Sequence, residues 1–225
     1  LLLKRWAMSP GRRPSGLITL ISRNSYLLYS GMLPGLIAGI YSREEIEIDL
    51  NRLCYFAGVS FVIAEIVGLD VRNKLLILGN GREPIHFDRL SINVGSVTSK
   101  TYIPTKNKDL FVEIKPLETS LEWLNSQDEN VSSYDSTPFQ IIGGGLTAIE
   151  VALALRKRWQ NRKILLSLKS DHLKSTFRRK LKLASIELVC GNPRTNLPTL
   201  LCTGSRAPEW LSNCGLPVDS CGRLI

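Results

Sequence analysis

One stretch constrains the fold more than any other: Phe139-Gln-Ile-Ile-Gly143-Gly144-Gly145-Leu-Thr-Ala148-Ile-Glu150-Val-Ala-Leu-Ala-Leu-Arg156. Four apolar-leaning residues predict a short buried strand, a glycine cluster follows at once, and an Ala/Leu-rich run continues with helical spacing. The arrangement is Gly-x-Gly-x-x-Gly/Ala set between a strand and a helix, with Gly143, Gly145 and Ala148 at the three small positions. Each residue type answers a steric demand. Gly143 permits the tight turn, Gly145 lets backbone N–H groups approach a pyrophosphate, and Ala148 lets the helix pack close to the sheet. The helix N-terminus then faces the anion. A glycine-rich loop without a ligand would share the composition but would not need this order of strand, turn and helix.

The charge is as unevenly placed as the glycines. Between Arg156 and Lys182 stand eleven Lys/Arg against one acid, Asp171, while the rest of the chain holds 18 basic and 19 acidic residues. The whole excess of the +9 net charge therefore follows the glycine turn. Solvated helix faces, a phosphate-rich ligand or an anionic surface would each explain it. Nucleic acid is not expected as a partner, because no aromatic residues interleave with the basic ones in an RNA-binding pattern.

No apolar run approaches the roughly 20 residues of a membrane span, and the apolar start is too short for a signal peptide. The chain opens Leu-Leu-Leu-Lys without Met and is expected to be a piece of a longer protein; a cytoplasmic location, with contact at a membrane periphery compatible with it, is the expectation. Cys54, Cys190, Cys202, Cys214 and Cys221 form no Cys-x-x-Cys pair, and only His86 and His172 could add imidazole, so no metal site is expected.

Apolar runs at 17–21, 59–64, 74–78, 90–94, 163–168, 186–190 and 200–204 predict strands, that at 17–21 continuous rather than alternating, as in parallel sheets. Helical spacing or caps mark 1–8, a start at Arg43 after Ser42, 50–56, 117–126 and 174–184. Gly79-Asn80-Gly81 predicts a hairpin turn towards Ile85-His86-Phe87. Strands alternating with helices imply an α/β fold with parallel sheets.

Two further motifs carry a resemblance. Asp88-Arg-Leu-Ser-Ile-Asn-Val-Gly95-Ser96 resembles the Tyr-Asp-x-Leu-x-x-Ala-Thr-Gly-Ser strand of two-dinucleotide-binding flavoproteins, and Thr203-Gly204 to Pro208 with Gly215-Leu216 and Asp219 to Gly222 resembles their return segment. With the glycine fingerprint between them, the chain resembles the pyridine nucleotide-disulfide oxidoreductase superfamily. Tyr29-Ser-Gly-Met-Leu-Pro34-Gly-Leu-Ile-Ala-Gly39 is similar to the flavin-side loop of its type II NADH dehydrogenase-like branch, and most of all to the flavoprotein module joined to selenophosphate synthase (selenide, water dikinase).

The resemblance implies a Rossmann-like two-dinucleotide-binding fold, with an NAD(P) domain inserted in an incomplete FAD domain. Residues 1–125 would be the FAD part, lacking its first glycine loop; 126–137 a linker; 138–203 the NAD(P) domain; 204–225 a truncated return segment. FAD and NAD(P)H are the implied cofactors. Leu33 and Pro34 would line the flavin; Asn93, Gly95, Ser96 and Gly204 would bring backbone close to it; Ile63 and Ala64 would offer main chain to adenine. Ser22 and Arg23 stand where an acid usually holds the FAD ribose, and the span from Cys190 to Leu200 is short for the hairpin expected there. Lys169 stands where an NAD-selective protein carries an acid, so it would favour NADPH; an exposed lysine is the plain alternative. Glu150 would reach the nicotinamide side, or would simply complement the helix dipole.

The implied activity is a flavin-dependent NAD(P)H oxidoreductase passing hydride to the flavin and on to a quinone-like acceptor, with a tie to selenophosphate synthesis. A nucleotide-binding remnant without catalysis is the alternative from another class.

Overall fold

The computed structural model describes residues 2–99, 105–128, 137–170, 172–220 and 222–225. The helices are α1 (Leu2–Met8), α2 (Leu33–Ile37), α3 (Arg43–Ile46), α4 (Leu50–Ala57), α5 (Leu117–Ser126), α6 (Leu146–Arg158), α7 (Ser175–Leu183) and α8 (Glu209–Ser212). The first strands are β1 (Thr19–Ser22), β2 (Tyr26–Leu28), β3 (Glu47–Asp49), β4 (Ser60–Ile63), β5 (Ile66–Asp70), β6 (Leu75–Leu78), β7 (Ile85–His86) and β8 (Val97–Thr98). They are followed by β9 (Phe111–Glu113), β10 (Phe139–Ile142), β11 (Ile164–Leu168), β12 (Glu187–Cys190), β13 (Thr199–Leu201) and β14 (Ser205–Arg206).

The chain forms two compact units: Leu1–Tyr29, Arg43–Gly95 and Ala207–Ile225 make unit 1, while Ser30–Ser42 and Ser96–Arg206 make unit 2. The sequence boundaries at 125/126 and 203/204 both fall inside unit 2. The reason lies in the sheet, because β9, from before the expected linker, pairs in parallel with β13. Of that linker, residues 129–136 lie outside the described residues.

Unit 2 is built on a five-stranded sheet in the order β12-β11-β10-β13-β9, parallel throughout. Continuous apolar runs are what a parallel sheet covered on both faces demands, and all five residues of β11 are buried. The single polar side chain at the heart of β10 has a task of its own. Gln140, fully buried, receives N–H of Arg194 at 3.0 Å and donates to the Arg194 carbonyl at 2.9 Å and to Thr199 Oγ1 at 3.1 Å. One amide thus pins the short 191–198 connection to the sheet, satisfying backbone groups that a longer hairpin would pair within itself.

One residue earlier in β10, Phe139 stacks edge-on with Trp159 at 4.9 Å, and the Arg162 guanidinium lies over both rings at 5.2 and 4.7 Å. Arg162 is 1% exposed; its Nε donates to the Thr137 carbonyl at 2.8 Å. Asp128 supplies the balancing charge: it accepts from Trp159 Nε1 at 2.6 Å and from Arg158 Nε at 2.9 Å. Burial alone would lift the Asp128 carboxyl, but these hydrogen bonds and the Arg158 and Arg162 charges hold it below the usual carboxylate range.

Unit 1 is assembled from smaller pieces. β1 and β4 form a two-stranded parallel sheet, β2 and β3 an antiparallel pair, and β5-β6-β7 an antiparallel three-stranded sheet. Two small cores hold them. Cys54, Ala57 and Val59 gather Leu3, Trp6, Ile18, Leu20 and Phe61 beneath α1 and α4. Ala64, Leu69, Leu76 and Leu78 gather Ile21, Phe87, Trp210 and Leu216. Asp49 caps α4 by accepting the Arg52 N–H at 3.0 Å, and Gly58 ends it at φ +62°.

One expected strand is not formed. Residues 90–94 are irregular and Leu90 is 37% exposed. A strand exists only with a ladder partner, and among the described residues β1 and β4 pair with each other alone. Conversely, β2, β3, β5, β8, β9, β14, α2 and α8 are too short or too polar to announce themselves by periodicity.

Candidate functional site

In unit 2 the chain leaves β10 towards β11 on one side, while β13 joins β10 on the other. The carboxyl end of β10 is therefore a topological switch point, where open parallel sheets bind their ligands. Gly143 stands there. Its φ is +153°, and a Cβ would lie 2.3 Å from the Cys202 carbonyl oxygen and 3.1 Å from the Ala148 Cβ. Only glycine fits between two neighbouring strands and the incoming helix.

Gly145 presents the opposite situation. It is the N-cap of the 13-residue α6, with an ordinary φ of −85°, and a Cβ there would meet nothing within 4 Å. The open side of the turn lies at a helix N-terminus whose first N–H groups lack intrahelical acceptors. Ala148 is fully buried, whereas Glu150 on the same helix is exposed. Lys169 is exposed at the end of β11, beside Gly143, whose N–H donates to the Ser167 carbonyl at 3.0 Å. Cys202, next to the turn, is chemically quiet: burial pushes its thiol up to about 12.

The Tyr29–Gly39 run forms α2, which lies against α6. Leu33 is buried at 4% exposure and Pro34 is half-buried. A Cβ at Gly35 would stand 2.5 Å from the ring of the partly exposed Tyr41, which would have to move aside for it. Ser96 Oγ accepts from Lys115 Nζ. Gly204 takes φ +99° and its carbonyl accepts the Ser99 N–H at 3.1 Å, in the ribbon where β14 pairs with β8.

Unit 1 gathers a second set at the carboxyl ends of β1 and β4. Ser22 and Ile63 are register partners, the Ala64 N–H donates to the Ser22 carbonyl at 2.9 Å, and Arg23 is exposed just beyond. Periodicity alone favours core packing for Ile63 and Ala64. That holds for Ala64, at 7% exposure, but Ile63 is 52% exposed. Asn93 and Gly95 lie away from any strand, Asn93 donating to Ser91 Oγ at 3.0 Å and Gly95 at φ +73°. Arg82, which sequence reasoning passed over, donates from Nη1 to the Ile63 carbonyl at 2.6 Å. The Gly79-Asn80-Gly81 turn just before it was the available signal.

Residues 6–189 match the family described as pyridine nucleotide-disulphide oxidoreductase. The chain belongs to this family. Its α/β, Rossmann-like fold recurs in solved structures of related architecture. The NADH:rubredoxin oxidoreductase of Clostridium acetobutylicum superposes with TM-score 0.72 at 19% identity over 90% of this chain and 56% of that one. The sulfide:quinone oxidoreductase of Aquifex aeolicus gives 0.73 at 18% identity over 100% and 61%. NDH2 of Plasmodium falciparum, in complex with NADH, gives 0.72 at 14% over 87% and 52%. The chain thus spans little more than half the length of these structures. No curated protein matches it. Nothing in these likenesses adds to the resemblance to the module joined to selenophosphate synthase. No helix among the described residues is long and apolar enough to cross a membrane.

Proposed function

We propose that the chain is the nucleotide-binding part of an FAD-dependent NAD(P)H oxidoreductase with a quinone-type acceptor. The observation that carries the reading is the contrast between Gly143 and Gly145: one packed so tightly that a Cβ would strike a carbonyl, the next small residue facing open space at a helix N-terminus. That is the fit a pyrophosphate needs. The exposed apolar Ile63, the register partner of Ser22, offers an apolar surface with a hydroxyl-bearing residue across from it, suited to the adenosine half of FAD. When bound, the flavin would take hydride from the nicotinamide and pass electrons on.

The chain's own residues bind and orient. The N–H groups at the start of α6 would hold the NAD(P)H diphosphate, with Gly143 and Ala148 keeping helix and sheet close enough to aim them. Lys169 would pair with a 2′-phosphate and so favour NADPH over NADH. Glu150, exposed on the first turns of α6, would face the nicotinamide ribose side. In unit 2, Leu33 and Pro34 on α2 would offer apolar surface, and Ser96 and Gly204 backbone, to the flavin; in unit 1, Asn93 and Gly95 would each offer backbone to it. The quinone acceptor is supported by the sulfide:quinone oxidoreductase likeness; the tie to selenophosphate synthesis rests on the Tyr29–Gly35 run alone. A cytoplasmic protein meeting its acceptor at a membrane periphery fits this reading.

The deciding measurement is the visible absorption spectrum of the chain incubated with FAD, before and after anaerobic NADPH. A flavin band that bleaches is the expected result. A colourless protein after gel filtration overturns the flavin reading and leaves a nucleotide-binding remnant in its place.

A further inference from the structure

The peptide that joins Ile63 to Ala64 has both of its polar groups engaged within unit 1. Its N–H, on Ala64, donates to the Ser22 carbonyl at 2.9 Å. Its carbonyl, on Ile63, accepts from Arg82 Nη1 at 2.6 Å. Arg82 owes its position to the preceding turn. Asn80 and Gly81 take φ of +59° and +67°, a consecutive left-handed pair that makes a tight turn at the start of the 79–84 connection, and the Arg82 N–H returns to the Gly79 carbonyl at 3.4 Å. What unit 1 leaves exposed at this edge is the Ile63 side chain, 52% exposed, and the Arg82 side chain. A guanidinium that spends one N–H on a carbonyl keeps its other donors and its planar face, which stacks on aromatic rings. An adenine offers the matching surfaces: apolar faces and ring-nitrogen acceptors along its edge.

We propose that Arg82 is an adenine-binding residue, gripping the base together with the Ile63 side chain, while the Ile63–Ala64 main chain serves as its internal anchor. The inference rests on the flavin reading above and refines it, moving recognition of the adenine from the backbone to a side chain on the β6–β7 hairpin. Arg82 then has two tasks that different substitutions separate. A lysine can still reach the Ile63 carbonyl but has no planar face. A methionine can do neither.

The test is binding of FAD and of FMN, which lacks the adenine, to the full chain by flavin fluorescence anisotropy, for wild type, R82K and R82M. Wild type is expected to bind FAD more tightly than FMN. R82M should raise the FAD Kd about tenfold, and R82K about fivefold, with the FMN Kd unchanged in both. An R82K variant that binds FAD like wild type overturns the proposal, since Arg82 would then only secure the turn. Equal losses for FAD and FMN, or a wild type that binds both alike, overturn it too. A wild type reduced normally by NADPH while R82M keeps full FAD affinity sinks this inference and spares the flavin reading; a wild type that binds no flavin sinks both.

Discussion

Unit 2 and unit 1 reach their folds by different means. Unit 2 stacks five parallel strands into one sheet and buries β11 completely, with Ile164, Leu165 and Leu166 at 0% exposure. Unit 1 divides its strands among sheets of two, two and three, holds them with small clusters, and leaves Leu17 88%, Tyr55 81% and Phe56 57% exposed. A sheet of five can cover its own backbone and align a helix N-terminus rigidly at its edge. Two-stranded sheets cannot, and depend on neighbouring pieces for their order. Unit 2 therefore presents a preformed turn, whereas the edge of unit 1 proposed above for the adenine is set by single hydrogen bonds such as Arg82 to Ile63.

The strongest test of that contrast is Leu166→Ala. A fully buried leucine at the centre of unit 2 should cost about 3–4 kcal/mol, read by denaturant unfolding, and should erase slow hydrogen exchange across β10 and β11. Ile63→Ala, at a half-exposed site, should cost well under about 1 kcal/mol; a comparable loss at both sites would show that the units do not differ in this way. Gly143→Ala comes next. Its Cβ would stand 2.3 Å from the Cys202 oxygen at a φ of +153°, so strain and overpacking together predict a loss of roughly 3 kcal/mol, with nucleotide binding lost alongside. An alanine variant of full stability would mean that the strand ends part easily.

The same contrast governs what the sequence disclosed. Of the elements of unit 2, β10 and β11 were legible because burial keeps their runs apolar but for Gln140 and Ser167, while α6 showed through its Ala/Leu-rich run and the partly buried edge strand β12 through Ile186, Leu188 and Val189. Gly143 and Ala148 were legible for a related reason: close packing admits few residue types. β9 and β8 were not, since strands of two or three residues are defined by their partners and carry no period of their own. The expected strand at 90–94 failed on the same ground, having the composition but no neighbour. Gln140 and Arg82 act through backbone groups more than fifteen residues away, and no local pattern encodes such a partner.

Asp128 offers a smaller effect with a defined sign. Its carboxyl is held below the usual range by Arg158, Trp159 and Arg162, so its contribution is present above the unfolded pKa near ~3.9 and is lost as pH falls through the lower folded value. Asp128→Ala should cost about 2 kcal/mol at neutral pH, because Arg162 is left buried without its counter-charge. The variant and wild type should draw together in stability as pH falls below the unfolded carboxylate value of about 3.9 and through the lower folded one, and curves that stay parallel would remove Asp128 from this account.

Gly145→Ala should be nearly silent in stability, within about 0.5 kcal/mol, since φ is −85° and the added methyl meets no protein atom. Its effect belongs to the ligand. A methyl on the open side of the turn stands where a diphosphate must approach the α6 N–H groups, and NADPH affinity should fall about tenfold. The pair Gly143→Ala and Gly145→Ala thus separates two demands that one glycine run makes together. If Gly145→Ala left NADPH binding intact at full stability, the open space beside α6 would not be the nucleotide's, and the excess basic residues that follow it would need another anion.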